Sequence, residues 1–533
     1  MAHTVELILV LFLAVAALAT LAERLKVPYP ILLTLGGLAL SFVPGLPRIA
    51  LAPELVFLIF LPPILYGAAW FTSWRDFRAN LRPISLLAFG LVLATTVAVA
   101  VVARLLLPGL PWAAAFVLGA IVSPPDAAAA AAIIQRLGVP RRIATILEGE
   151  SLINDATALV AYRFAVAAVV GGTFSLGEAG GQLVAVGLGG VVVGLAVGVL
   201  VVLFEKLVDD PAVEIAISFI APIGAYLLAE EFHWSGVLAA VAAGLYVSQR
   251  ASRLMGSDTR VQAAAVWRTA NFVLNGLAFI LIGLQLPAIL DSLGDRPLGV
   301  LLGYGAALSA TVIAVRFAWV FPATYLPRLL FPHIRAREPY PNWRNVTVVA
   351  YTGLRGVISL ATALALPQEV AGGGPFPERD LLIFLTFCVI LATLVGQGLT
   401  LPPLIRWLGV TDDGGAEREQ HKARLHAAQA ALGRLDELML EEWATEEAIG
   451  RIRDHYADRA RHLAEELDIV LDELGSSEDG HDPHHLKVEQ RVRREVLAAE
   501  REVIIGLRDE GVIGDEALRA IERDLDLEEL RLA

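Results

Sequence analysis

The sequence predicts an all-α polytopic membrane protein, with about thirteen transmembrane helices followed by a helical, water-soluble tail. Three observations predict it. Apolar residues make up 56% of the 533, mean hydropathy is +0.63, and several apolar runs exceed the roughly 18 residues that a spanning helix needs. Lys and Arg then cluster in every second connection between these runs, as they do in loops on the cytoplasmic side. Finally, composition changes near residue 410. From Thr411 onward there are 17 Lys and Arg against 33 Asp and Glu, a balance of −16, whereas the first 410 residues carry +3. The chain therefore divides into a transmembrane domain over 1–410 and an acidic cytoplasmic tail over 411–533. These features exclude an ordinary soluble enzyme. The single cysteine, Cys388, permits neither an intrachain disulfide nor a cysteine metal cluster. No cofactor and no nucleic-acid partner is expected; the bilayer itself is the first partner.

Proline, glycine and charge clusters punctuate the apolar body into helices near 4–22, 28–43, 54–71, 83–107, 112–135, 143–170, 181–204, 212–230, 235–249, 265–290, 298–327, 346–367 and 381–408. The first lacks a preceding Lys or Arg and is followed by Arg24 and Lys26, so it reads as a retained helix rather than a signal peptide. Connections after odd-numbered helices carry sixteen Lys and Arg, among them Arg75, Arg142, Arg253 and Arg337, against three (Arg48, Arg296 and Arg379) after even-numbered ones. That bias predicts an N-terminus outside the cell membrane and a C-terminus in the cytoplasm.

Two of these helices are interrupted. The fifth contains Ser123-Pro124-Pro125-Asp126, where two residues without an N–H release upstream carbonyls and disfavour helix ahead of them. Backbone opened at this depth lines a cavity or is buried in protein. The carbonyls of Val122 and Pro124 and the hydroxyl of Ser123 are candidate ligands for a hard cation, and Asp126 sits where the next half-helix begins. Seven helices later, Gly353-Leu354-Arg355-Gly356 interrupts the twelfth helix. Seven is odd, so the two broken helices run in opposite directions, the arrangement of an inverted-repeat transporter with its site at the crossing.

Between them lies the run Glu150-Ser151-Leu152-Ile153-Asn154-Asp155 in the sixth helix. A charge within the hydrocarbon costs at least ~2.5–3.5 kcal/mol, so such residues face a cavity or a partner. Helical spacing puts Ser151 and Asp155 on one face, with Glu150, Asn154 and Thr157 beside it. The intramembrane bases are Arg316 and Arg355. Pairing two acids with them leaves one carboxylate over; Glu150–Arg316 with Asp126–Arg355 leaves Asp155, and the swapped pairing is also open. An acid without a cationic partner is the one free to exchange a proton for a cation. Arg163 reads as a snorkelling side chain. Asn275 and Gln285 read equally as inter-helix hydrogen bonds or as site groups.

These residues resemble the monovalent cation/proton antiporter family, in the branch of bacterial sodium/proton antiporters and animal sodium/proton exchangers. The resemblance covers most of 1–410 and rests on Phe60-Leu61-Pro62-Pro63-Ile64-Leu65-Tyr66, the Ser123–Asp126, Glu150–Asp155 and Gly353–Gly356 runs, and Ser235-Gly236-Val237-Leu238-Ala239. It implies a thirteen-helix core-and-dimerisation fold, crossed discontinuous helices, a homodimer, and exchange of Na⁺, often Li⁺ and sometimes K⁺, for H⁺. It carries the ion-binding carboxylate onto Asp155, a coordinating hydroxyl onto Ser151 and a bridge to the broken helix onto Asn154. It also favours the Glu150–Arg316 and Asp126–Arg355 pairs. Two departures stand out. Pro125 and Ala127 replace the Thr and Pro that commonly flank the Asp of the broken helix, and Gly67 replaces a Glu on the third helix.

The expected activity is electroneutral Na⁺/H⁺ exchange at Asp155 by alternating access, serving pH and sodium homeostasis, with K⁺/H⁺ exchange as the second reading. A cation channel would pass current without titrating Asp155. An intramembrane aspartyl protease on Asp126 and Asp155 would be expected to carry a Gly-x-Gly-Asp run, which precedes neither acid. In the tail, helices are expected near 416–448, 451–474, 486–511 and 515–530, with Leu432, Leu435, Leu438 and Leu440 at near-helical spacing. Seven of ten histidines lie there, including His481, His484 and His485; a pH or metal sensor, or a regulatory partner, is the sharp reading, and a solvated loop the plain one.

Overall fold

The structure, a computed structural model, describes residues 2–44, 51–134, 137–171, 176–208, 210–294, 296–370, 374–412, 414–441, 443–467 and 485–531. Among these residues the chain is helical throughout, apart from one isolated bridge between Glu369 and Pro375. In order the helices are α1 (Ala2–Leu25), α2 (Tyr29–Leu40), α3 (Pro53–Phe71), α4 (Leu81–Leu106), α5 (Trp112–Val122), α6 (Ala127–Ile134), α7 (Arg141–Gly171), α8 (Leu176–Glu205), α9 (Pro211–Glu231) and α10 (Gly236–Leu254). They continue with α11 (Ser257–Ser292), α12 (Leu298–Leu330), α13 (Trp343–Tyr351), α14 (Val357–Leu364) and α15 (Arg379–Leu408). The tail adds α16 (Gly415–Leu438), α17 (Glu446–Glu466), α18 (His485–Asp509) and α19 (Asp515–Arg531). Short helical turns occupy Trp74–Ala79 and Pro332–Arg337.

Eight helices among the described residues (α3, α4, α7, α8, α9, α11, α12 and α15) are long and apolar enough to cross a bilayer. Each apolar run marked out by punctuation has its helical counterpart, and the two expected interruptions fall between α5 and α6 and between α13 and α14. Boundaries moved most where a helix outgrows its apolar run. α11 begins at Ser257 rather than 265 and α10 ends at Leu254 rather than 249. Those extra turns are polar because they meet the tail, not lipid. α3, α4 and α15 each contain a π-turn, at Val56–Phe60, Leu86–Leu91 and Ala392–Gln397. Such turns release carbonyls from the helical ladder; the one at Leu86 accepts a hydrogen bond from Trp319 Nε1 at 3.0 Å.

Lipid tails supply no driving force between apolar helices, so small residues and close backbone contact set the packing. α2 and α11 cross at Gly37 and Gly283, where a Cβ would overlap the carbonyls of Ile280 and Thr34 respectively. The largest buried cluster joins α5, α7, α12 and α15 through residues such as Val117, Ile121, Leu147, Val312, Leu382 and Phe387. A separate cluster around Tyr66, Trp70, Ala225, Ala243 and Trp267 joins α3, α9, α10 and α11.

The tail has cores of its own. Leu425, Leu432, Leu435, Ile452, Tyr456 and Val496 form one, and Leu497, Ile504, Leu518, Ile521 and Leu525 another. Leu440 does not join them: α16 stops at Leu438 and leaves it 88% exposed. The expected break near 449 lies instead at 439–445, ahead of Thr445, a residue type that caps helix N-termini. The expected breaker at Gly475–Gly480 and the histidines His481 and His484 lie outside the described residues, and the side chain of His485 is likewise outside them.

Candidate ion site at the crossing of two broken helices

Pro124 and Pro125 have no N–H to offer, so the carbonyls one turn upstream lose their helical partners. The protein satisfies this end locally and from outside. Ser123 Oγ donates to the Ala120 carbonyl at 2.9 Å. The Arg355 guanidinium, 1% exposed, donates to the carbonyls of Val122 (3.0 Å) and Ser123 (3.2 Å), and also to Gly353. A cation thus sits at the C-terminal, negative end of α5.

This corrects two expectations. Arg355 does not pair with Asp126, and the Val122 carbonyl, expected as a ligand for the transported ion, already faces a fixed guanidinium. Spacing alone could not separate a side chain that reaches a carboxylate from one that reaches backbone carbonyls a turn away. Pro124 is buried at the break itself.

Asp126 instead caps α6 and lies against the start of α14. Its Oδ1 accepts from Ala128 N at 2.9 Å, at the start of α6. Its own N–H donates to the Leu354 carbonyl at 2.7 Å. A Cβ at Gly356, the residue before α14, would overlap Asp126 Oδ2, so the carboxyl lies directly on the N-terminus of α14. Only glycine permits that approach. The positive ends of two helix dipoles converge on one acid, which accounts for its place here without an arginine.

α7 runs beside this crossing. Asn154, fully buried, donates from Nδ2 to the Pro125 carbonyl at 2.9 Å and ties α7 to the break, while its Oδ1 is buried without a hydrogen-bond partner. Four residues earlier, Glu150 forms a two-pronged pair with Arg316 of α12, at 2.6 and 2.7 Å, with both side chains 1% exposed. Arg316 Nε donates further to the Val349 carbonyl in α13 at 3.1 Å. Asp155 is 3% exposed and, among the described residues, has neither a hydrogen bond nor an ion pair; its charged neighbour is the other acid, Asp126. Ser151, half-buried, lies one turn before it on the same face.

Several participants carried no sequence signal. Thr393 Oγ1, in the π-turn of α15, accepts from Arg355 N at 3.1 Å, and Gln397 Nε2 donates to the Tyr351 carbonyl at 3.1 Å, so α15 supports the second break. Over Gly67 sits Asn271, whose amide occupies the space a Cβ would need and whose Oδ1 is buried without a partner. Arg163 pairs with Glu230 at 2.6 Å at a partly exposed position. Gln285 Oε1 accepts from Leu51 N at 3.2 Å and so links segments, whereas Asn275 donates only within its own helix, to the Asn271 carbonyl.

Two broken helices, stitched together at their breaks by buried ionic groups, define a secondary transporter of the crossed half-helix class. The chain belongs to the sodium/hydrogen exchanger family, whose transmembrane model matches residues 9–407. It is a multi-pass membrane transporter of the cation/proton antiport class, not an enzyme. An uncharacterized Na⁺/H⁺ exchanger of Mycobacterium tuberculosis is 37% identical over 530 residues, covering 98% of this chain and 95% of that protein, tail included. A sodium, potassium, lithium and rubidium/H⁺ antiporter of Bacillus subtilis is 34% identical over 411 residues, covering 75% of this chain and 61% of its own length. In fold, the chain resembles the sodium/proton antiporter MjNhaP1 of Methanocaldococcus jannaschii, with a TM-score of 0.57 at 20% identity over 75% of this chain and 99% of that one.

Proposed function

We propose that the protein exchanges Na⁺, with Li⁺ also accepted, for H⁺ at Asp155 by alternating access. The observation that carries this reading is the contrast between two acids five residues apart on α7. Glu150 is fully neutralised by Arg316, whereas Asp155 is equally buried and carries no counter-charge. An ionised carboxylate in that position needs a cation or a proton before it can be enclosed. Each guest therefore crosses with the site, the empty ionised form does not, and strict exchange follows.

Ser151, and the Asn154 oxygen left without a donor, are the ligands nearest in sequence to complete a Na⁺ shell, since hard cations take oxygen donors. With one exchanging acid the cycle is electroneutral; Asp126, held by helix N-termini rather than an arginine, stays ionised throughout in this reading. Protonation of Asp126 during the cycle would make the exchange carry charge. The ions are the substrates and no cofactor takes part.

The wider arrangement goes with it: thirteen crossings, N-terminus outside and C-terminus in the cytoplasm, residues 1–410 as the transport domain and 411–533 as a regulatory tail. A homodimer in the cell membrane is part of the same reading. Cytoplasmic pH and sodium homeostasis is the physiological role. K⁺/H⁺ exchange is the second reading, since Pro125 offers no side-chain oxygen beside Asp126 to set the cation preference.

Proteoliposomes loaded with the purified protein test it. Na⁺ and Li⁺ gradients are expected to drive proton movement without electrical current, and D155N to lower the rate at least 100-fold while the protein remains monodisperse. Exchange driven by K⁺ alone would select the second reading. Wild-type rates in D155N would refute both.

A further inference from the structure

On the side of the body that meets the tail, three guanidinium groups crowd a single carboxylate oxygen. Arg82 Nη2 and Arg328 Nη2 each lie 2.8 Å from Glu338 Oε2, and Arg142 Nη2 lies 3.5 Å from it. The three come from three helices: Arg82 from the start of α4, Arg142 from the start of α7 and Arg328 from the end of α12. One acid against three bases leaves a local excess of two positive charges. Arg328 is 4% exposed and uses its remaining donors on the carbonyls of Thr324 and Glu338, while Arg142 Nε donates to Asn80 Oδ1. Arg82 is different. Its Nε and Nη1 are buried and have no acceptor. Burying guanidinium N–H groups without partners is unfavourable, the more so for a charged group, so the arrangement is incomplete as it stands.

The same three arginines line a cavity of about 100 Å³ whose other walls, apart from Thr324 and Asn345, are apolar, including Leu86, Leu87, Ile143 and Val349. An inorganic anion alone would leave those walls bare. The depth is that of a membrane interface: Leu326, Leu329, Leu330 and Phe331 are exposed around the end of α12, and Tyr340 and Trp343 are exposed beside them, the residue types that gather at headgroup level. Arginine forks match phosphate oxygens in geometry as well as in charge.

We propose that Arg82, Arg142 and Arg328 form a binding site for a phosphate group, supplied by an anionic phospholipid whose apolar part enters the adjoining cavity. Bound there, the phosphate completes the donors of Arg82 and holds the start of α7, the helix that carries Asp155, against α4 and α12. Glu338 acts as the competing internal anion. This assignment stands apart from the identity of the transported ion.

The test uses the full-length protein in phosphatidylcholine nanodiscs with and without phosphatidylglycerol, read by retained lipid in native mass spectrometry and by the thermal unfolding midpoint. Wild type is expected to retain phosphatidylglycerol and to unfold at higher temperature with it. R82Q and R142Q are expected to weaken retention at least tenfold. E338Q, which removes the competitor, is expected to strengthen it severalfold; a merely structural cluster would be loosened by all three changes. A parallel titration with inorganic phosphate in neutral nanodiscs separates the sources. A midpoint that rises with inorganic phosphate, is lost in R82Q, and shows no response to phosphatidylglycerol keeps the phosphate site but assigns it to a soluble ligand. Equal retention by wild type, R82Q and E338Q, or no response of wild type to either probe, overturns the proposal. Should R82Q fail to yield monodisperse protein, R142Q and E338Q still decide, because they are predicted to move in opposite directions.

Discussion

Glu150 and Asp155 lie five residues apart on one helix in almost the same degree of burial, and the structure treats them oppositely. Glu150 has both oxygens on Arg316, and Arg316 has its remaining nitrogen on a backbone carbonyl. The pair is closed, so its worth lies in completeness. Removing one partner leaves the other charge in a medium that cannot solvate it, at a cost of about 3–5 kcal/mol. E150Q is therefore expected to lower the thermal unfolding midpoint markedly even where Asp155 is untouched, which unfolding in detergent or nanodiscs would measure. D155N removes a charge that has no partner to strand, and is expected to leave that midpoint unchanged or raised. The two substitutions, chemically alike, should separate stability from transport.

Helices show the same economy of charge at their ends. The breaks in α5/α6 and α13/α14 expose four half-helix termini, and the buried ionic groups lie at ends of opposite sign: Arg355 on the carbonyls that close α5, Asp126 on the N–H groups that open α6 and beside Gly356 ahead of α14. In the tail, helices meet through an acid instead. Glu500 of α18 is fully buried, accepts from Tyr456 of α17 at 2.7 Å, and has its carboxyl pushed up to about 7 by burial, which outweighs the nearby Arg459. A raised carboxyl favours the protonated folded form, so its contribution is full below the ordinary glutamate range near 4.5 and is lost as pH climbs through 7. Protection against hydrogen exchange, relative to the intrinsic amide rates at each pH, is expected to fall across 446–466 and 485–509 between pH 5 and pH 8 in the full-length protein, and E500Q to flatten that fall. Protection that does not change with pH would remove Glu500 as the cause.

At the level of the whole molecule, the tail is fastened to the body at α7, α11 and the end of α3. Arg141, at the start of α7, holds Asp76 (2.6 Å) together with Glu419 (2.9 Å) and Glu516 (3.1 Å) of the tail. Arg260 of α11 pairs with Asp526 of α19, largely buried on both sides, and Arg519 donates to the carbonyls of Trp70 and Phe71 that end α3. Breaking the Arg260–Asp526 pair strands a buried carboxylate beside Arg501 alone. R260Q is expected to speed hydrogen exchange throughout 515–531 while leaving 141–171 protected; unchanged protection of α19 would show that Arg519 and Arg141 suffice to dock it.

The linear chain decided the fold class, the places where two helices break and the acids that lie buried beside them. Each of these follows from local chemistry: apolar length, missing N–H groups at Pro124 and Pro125, and charges in a medium that tolerates few of them. The partners were decided only by the three-dimensional arrangement. Whether Arg355 reaches Asp126 or the Val122 carbonyl, whether Asp126 is held by a base or by two helix ends, and that Thr393, Asn271 and Glu338 belong to these networks at all, turns on contacts between residues tens to hundreds of positions apart. Hydrogen bonds and ion pairs act over a few ångströms, and a sequence read without its crossing geometry places no two distant residues that close.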